Sequence, residues 1–195
     1  MLFKSDDLNK DIDGITKVFQ SSGKPTLTKG ATSLKKFFPE IKQDQIYHYV
    51  TRARWSMHDL LAHLLKFTGP ADVYFTTWSI TMEPASQIME LKKAGLIQNL
   101  YAIIDSRVKT NSPEAHQFLM MNCKALKLAK IHAKVLVIKN EFNCASVLSS
   151  QNFTNVKRIE TGTIDTHMVI AEQHIEWILS KINEPDARTN QRGTF

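Results

Sequence analysis

His132 and Lys134 stand two residues apart in Ile131–Ile138, a run that is otherwise Ile, Ala, Leu and Val. In a strand that spacing puts both side chains on one face, a few ångströms apart. An unpaired buried cation is costly, so the pair needs a reason. One is an anion held there, such as a phosphate. The other is an exposed strand end from which Lys134 reaches water. Downstream lie Ser149-Ser150-Gln151-Asn152, rich in small polar groups, and then Glu160. A histidine is a nucleophile toward phosphorus when its other ring nitrogen is held by an acceptor. Lys134 and Asn152 are donors suited to non-bridging phosphate oxygens, Ser150 can donate a further bond, and Glu160 can fix the imidazole tautomer. This inventory performs phosphoryl chemistry without a metal, and no carboxylate cluster suited to one stands out.

The order His-x-Lys, hairpin, Ser-x-Asn, acid resembles the phospholipase D superfamily, whose signature is His-x-Lys-x4-Asp, then Gly-Ser-x-Asn, then Glu or Asp. His132, Lys134, Ser150, Asn152 and Glu160 match it; Lys139 stands where the motif has Asp, and Ser149 where it has Gly. The likeness covers roughly residues 55–182. It implies an α/β fold with a mixed sheet sandwiched between helices. It also implies catalytic roles for His132, Lys134, Asn152 and Glu160, with Lys134, Ser150 and Asn152 on the substrate phosphate, and no metal or cofactor. Phospholipase D-like enzymes use two His-x-Lys half-sites, one histidine attacking and the other protonating the leaving oxygen. A chain with one half-site, similar to the short bacterial nucleases of the superfamily, is expected to form a homodimer about a two-fold axis. The expected activity is phosphodiester hydrolysis of nucleic acid through a phosphohistidine, with DNA favoured over RNA. The alternative is a catalytically degenerate member that binds nucleic acid without cutting it, prompted by Lys139.

The elements that must position these residues follow from periodicity. Gln45–Arg54 is aromatic and β-branched, hence a strand, with Arg52 and Arg54 on one face, at a solvated edge or against phosphates. Ser56 with Asp59 forms an N-cap signature for a helix carrying Leu60, Leu61, Leu64, Leu65 and Phe67, closed by Gly69-Pro70. Its His58 and His63 read as surface or boundary residues. Ala71–Ile80, including Trp78, reads as a buried strand, Met82–Ala94 as a helix ended by Gly95, and Leu100–Ile104 as another buried strand. The latter closes in Asp105-Ser106-Arg107, polar groups at the strand end where α/β proteins place ligands. Ser112-Pro113-Glu114 starts a further helix. Glu141–Leu148 is the return strand after a turn at Lys139-Asn140, Thr163–Ile170 a last strand, and Glu172–Ile182 an amphipathic helix. This alternation argues for an α/β sandwich.

Residues 1–45 read as a partly irregular N-terminal extension with a short helix over Asp11–Phe19. Residues 46–183 form the α/β domain, and 184–195 a flexible tail. Gly23-Lys24 lacks the spacing of a phosphate-binding P-loop. The 195 residues carry a formal charge of +6, which favours an anionic partner. No lipid-binding amphipathic segment stands out, favouring nucleic acid over phospholipid. No apolar run approaches the roughly 20 residues of a membrane span, so no integral membrane association is expected. Two cysteines in apolar contexts, Cys123 and Cys144, read as buried free thiols. Together with the absence of a signal-peptide pattern at the start, they give a cytoplasmic expectation.

Overall fold

Nine strands join in one mixed sheet in the computed structural model, which describes residues 15–20, 26–29, 34–52, 55–155 and 158–185. In chain order the elements are β1 (Ile15–Gln20), β2 (Thr26–Lys29), α1 (Leu34–Phe37), β3 (Ile46–Arg52), α2 (Met57–Thr68), β4 (Ala71–Thr77), α3 (Met82–Lys93) and β5 (Ile97–Asp105). Then follow α4 (Val108–Asn111), α5 (Pro113–Asn122), β6 (Ala125–Ala129), β7 (Val135–Lys139), β8 (Cys144–Ser149), β9 (Ile159–Asp165) and α6 (Met168–Asn183). The order across the sheet is β2-β1-β3-β9-β8-β7-β4-β5-β6. The fold is α/β, with the mixed sheet sandwiched between helices as expected.

The alternation along β7 shows why the sheet is covered on both faces. Leu136 and Ile138 enter the larger core with Leu60, Leu61, Leu64 and Leu65 of α2 and Ile88 of α3. Val135 and Val137 face the other way, into a smaller core with Ala171 and Ile178 of α6. A strand apolar from Val135 to Ile138 serves two helical layers at once. The helix signals act locally as their chemistry dictates. Ser56 Oγ accepts from the Asp59 N–H while the Asp59 carboxylate accepts from the Ser56 N–H, a complete capping box. At the end of α3, Leu96 N–H bonds Leu91 O at 3.0 Å and Gly95 N–H bonds Lys92 O at 3.0 Å, a Schellman turn for which Gly95 supplies φ 75°.

Several expectations are corrected. The helix expected over Asp11–Phe19 gives way to a strand: Ile15–Gln20 is β1, paired antiparallel with β2 and β3, and residues 11–14 lie outside the described residues. Its Ile-Thr-Lys-Val-Phe pattern is β-branched and alternating, and an available strand neighbour decides for the sheet. The β3 strand is not a solvated edge, because β1 and β9 pair with it on either side; Arg54 lies outside the described residues. Thr163–Ile170 divides into the end of β9 and the start of α6, with Asp165 accepting from the His167 N–H at the junction at 2.8 Å. The parallel edge strand β6 was hidden because its five residues are all half-buried and lead straight into the His132 segment. His58 is buried rather than superficial, and residues 186–195 of the expected tail lie outside the described residues. None of the described helices is long and apolar enough to cross a membrane.

Gly162 of β9 lies opposite Tyr49 of β3. A methyl group there would stand 2.5 Å from the Tyr49 hydroxyl oxygen and 2.8 Å from Leu148 O. Tyr49 is fully buried, so the ring has little room to yield. Gly162→Ala is therefore expected to lower the free energy of unfolding by about 1–3 kcal/mol through overpacking, read from urea melts of the two proteins.

Candidate active site

The strand directions bring all the predicted polar residues to one end of the sheet. β4 and β5 are parallel, and β7 runs antiparallel to β4. The ends of β4 and β5 therefore meet the start of β7. β8 is antiparallel to β7 and β9 to β8, so the end of β8 and the start of β9 come to the same rim. Along it lie Trp78, Asp105–Arg107, His132–Lys134, Ser149–Asn152 and Glu160.

His132 and Lys134 are not in the strand; they occupy the extended segment just before β7. That segment is fixed from three neighbours. Thr76 Oγ1 donates to Ala133 O at 3.0 Å and accepts from Val135 N–H at 3.2 Å. Ser149 N–H donates to Lys134 O at 3.1 Å. Asp105 Oδ2 accepts from Ile131 N–H at 3.2 Å. His132 is exposed and Lys134 half-buried. Lys134 Nζ donates to His132 O at 2.8 Å and lies 3.1 Å from ring Nε2 and 3.3 Å from Nδ1. An ammonium has no acceptor, so the ring nitrogen that bonds it is the accepting one. Partial burial holds the Lys134 ammonium below its usual value, and the negative charge of Glu160 acts against that shift.

The Ser-x-Asn segment is anchored through the residues around the polar pair. Gln151 is buried; its Nε2 donates to Trp55 O at 2.8 Å and its Oε1 accepts from the Tyr49 hydroxyl at 3.1 Å. Phe153 is buried against Phe75, ring centroids 4.8 Å apart. Asn152 is held between these two, with Oδ1 3.2 Å from the donating Thr77 hydroxyl. Its amide NH2 has no acceptor among the described residues and is available to a ligand oxygen. Ser150 Oγ accepts from Thr161 N–H at 3.0 Å and donates to the Glu160 carboxylate in a short contact. Glu160 is thus bonded to Ser150, and the His132 ring to Lys134.

The two departures from the motif have structural accounts. Ser149 has an ordinary backbone conformation, since Asp44 is the one non-glycine of positive φ among the described residues. No glycine is required there. Its hydroxyl accepts from Tyr49 and from Gln151 N–H, each at 3.0 Å, and donates to Thr161 O at 3.0 Å. Lys139 stands at the far end of β7, roughly 13 Å along the strand from Val135, where it pairs with Glu172 at 3.7 Å.

Three residues join the rim that the motif did not name. Trp78 follows β4 and is 36% exposed, not buried as its strand-like context suggested. Its ring meets that of His132 at 5.9 Å between centroids, tilted by 68°. The Arg107 guanidinium lies 4.7 Å from the Trp78 ring centre. Asp105 holds that arginine, accepting from its Nε at 2.6 Å and from its backbone N–H at 3.0 Å. Burial pushes the Asp105 carboxyl up, but the bonds from Arg107 and Ile131, together with the Arg107 charge, outweigh it and hold the carboxyl below its usual value. The sequence signal for this group was the polar run at the end of a buried strand.

No protein-family model matches the sequence, and no curated protein matches it. Among solved structures the chain is similar to Nuc from Salmonella typhimurium, a phospholipase D family member. Identity is 18% and the TM-score 0.57, over 74% of this chain and 98% of that one. It is also similar to NucT from Helicobacter pylori, at 16% identity and TM-score 0.52, over 70% of this chain and 95% of that one. Polyphosphate kinase from Porphyromonas gingivalis matches at 11% identity and TM-score 0.52, over 73% of this chain but 27% of the kinase. The chain accordingly shares its fold with Nuc, a phospholipase D family member, and with NucT.

Proposed function

We propose that the protein is a phosphodiesterase that hydrolyses nucleic acid through a phosphohistidine on His132, in a homodimer that supplies a second His132. The observation that carries this reading is the exposed His132 ring on one rim with Lys134, the Ser150–Glu160 pair and the free NH2 of the Asn152 amide. The Lys134 ammonium that caps the ring's lone pair turns to the phosphate oxygens when substrate binds, which frees that nitrogen to attack. His132 attacks phosphorus, forming a P–N bond as a P–O bond breaks. The departing oxygen takes a proton from the His132 of the second copy. Water, deprotonated by that same ring, then cleaves the P–N bond and releases the phosphate product, which regenerates both histidines. Lys134 and Asn152 hold the non-bridging oxygens on which charge accumulates. Glu160 acts through Ser150 and through its charge on Lys134. The place of Lys139, paired with Glu172 at the far end of β7, favours activity over binding without cleavage.

Incubation of the purified protein with labelled single- and double-stranded DNA in excess EDTA tests the chemistry. Products are expected in chelator; activity lost to EDTA and restored by magnesium would overturn the reading, because a two-metal nuclease uses metal-activated water. Light scattering on the same sample is expected to give the mass of two chains. A monomer at micromolar concentration with cleavage intact would sink the shared site.

A further inference from the structure

We infer that Trp78 and Arg107 form a base-stacking subsite beside His132, which takes one unpaired nucleobase next to the reacting phosphodiester and directs the site toward single-stranded nucleic acid. The inference rests on the phosphodiesterase reading of His132 and names its substrate class. Trp78 follows a strand whose last five residues, Val73 to Thr77, are all buried. The largest side chain on the rim is nevertheless 36% exposed, forgoing the burial that an indole ordinarily contributes. Its neighbours give it a different use. The central carbon of the Arg107 guanidinium lies over the indole, 4.7 Å from the ring centre, and Arg107 is itself held at two points by Asp105. Because Asp105 already answers its charge, Arg107 serves better as a fixed planar surface than as a free phosphate anchor.

Placement agrees. The His132 ring stands edge-on to Trp78 at 5.9 Å, so a base on the stack lies within one nucleotide of a phosphate at His132. Next to it a shallow cleft of about 420 Å³, lined by Asp105, Ser106, Arg107, Lys130, Ile131 and His132, offers room for the attached sugar and phosphate. Lys130 is exposed at this cleft and supplies a cation for the adjoining backbone. A base inside a duplex has both faces covered by its neighbours; only an unpaired one has a face free to stack on a side chain.

The test compares oligonucleotides of one length in the His132→Ala background, where cleavage is removed. The probes are a single strand, the same strand with every base replaced by an abasic unit, and the duplex. The base-bearing strand is expected to bind roughly 5- to 100-fold more tightly than the abasic one, with quenching of indole fluorescence. Trp78→Ala is expected to erase most of that difference and Trp78→Tyr to keep most of it. Circular dichroism checks the variants, and the base-against-abasic comparison in the protein that retains Trp78 needs no substitution at the subsite. Equal affinity for the two strands would overturn the subsite and leave the cleavage reading standing. A Trp78→Ala protein with half the particle mass would overturn it by assigning the indole to the contact between copies. Failure of wild-type protein to cut any diester, with the base preference intact, would instead count against the phosphohistidine reading while supporting the subsite.

Discussion

Replacing His132 with alanine is expected to reduce cleavage by a factor on the order of 10^4 to 10^6, the scale of losing a nucleophile, while affinity for DNA changes little because it rests on distributed phosphate contacts. In the proposed mechanism His132 is the nucleophile, on a rim whose other matched residues, Lys134, Ser150, Asn152 and Glu160, donate bonds or carry charge. Its attack would leave a phosphoramidate, which is acid-labile and base-stable. An alkaline quench followed by peptide mapping should therefore place the label on the His132 peptide; label elsewhere, or none during active turnover, would contradict the mechanism. Lys134→Ala should cost less, about 10^2 to 10^3, as for one donor to a developing oxyanion. The pH profile carries a matching signature. In the proposed mechanism Lys134 acts as the charged form, and partial burial lowers its pKa from the ordinary 10.5. Activity should accordingly fall on the alkaline side at a lower pH than an ordinary lysine would set.

The second large effect expected is on folding. Asp105→Ala removes an acceptor that serves Arg107 Nε, Arg107 N–H and Ile131 N–H together. Bonds to a charged group contribute more than neutral ones, and orphaned donors add their own cost. A loss of about 2–4 kcal/mol is expected, measured by denaturant melts. Asp105→Asn should fall between the two proteins, since its amide oxygen can accept some of these bonds. The sign of the pH dependence follows from the depressed carboxyl. Its stabilisation is fully present above the unfolded value of 3.8 and is lost as the pH falls through the lower folded value. In acid the wild type should therefore approach the alanine variant. Indistinguishable stabilities at neutral pH would show that Asp105 does not brace this rim.

The polar positions along the rim were legible because a short linear pattern placed them. His132 and Lys134 interrupt an apolar run, and Ser150, Asn152 and Glu160 follow at distances that one hairpin spans. Their grouping depends on strand direction, which the alternation of helices and strands indicated. Trp78 and Asp105 were harder: they join the rim from β4 and β5, far away in sequence, and Trp78 looks like one more core aromatic until β4 ends at Thr77. Ile15–Gln20 is a strand against its helical pattern because a short amphipathic stretch has no fixed structure of its own; pairing with β3 decides it. β6 escaped for a related reason. An edge strand with all five residues half-buried lacks both the continuous apolar run of a central strand and a clean alternation.

The Lys139–Glu172 pair changes how the missing motif acid is understood. The position is tied to the first turns of α6, not to the rim that carries His132. An aspartate there would meet the Glu172 carboxylate, so the two positions are expected to exchange charge together across lineages. A motif search that scores residue 139 alone would then mistake a compensated swap of surface charge for decay of an enzyme.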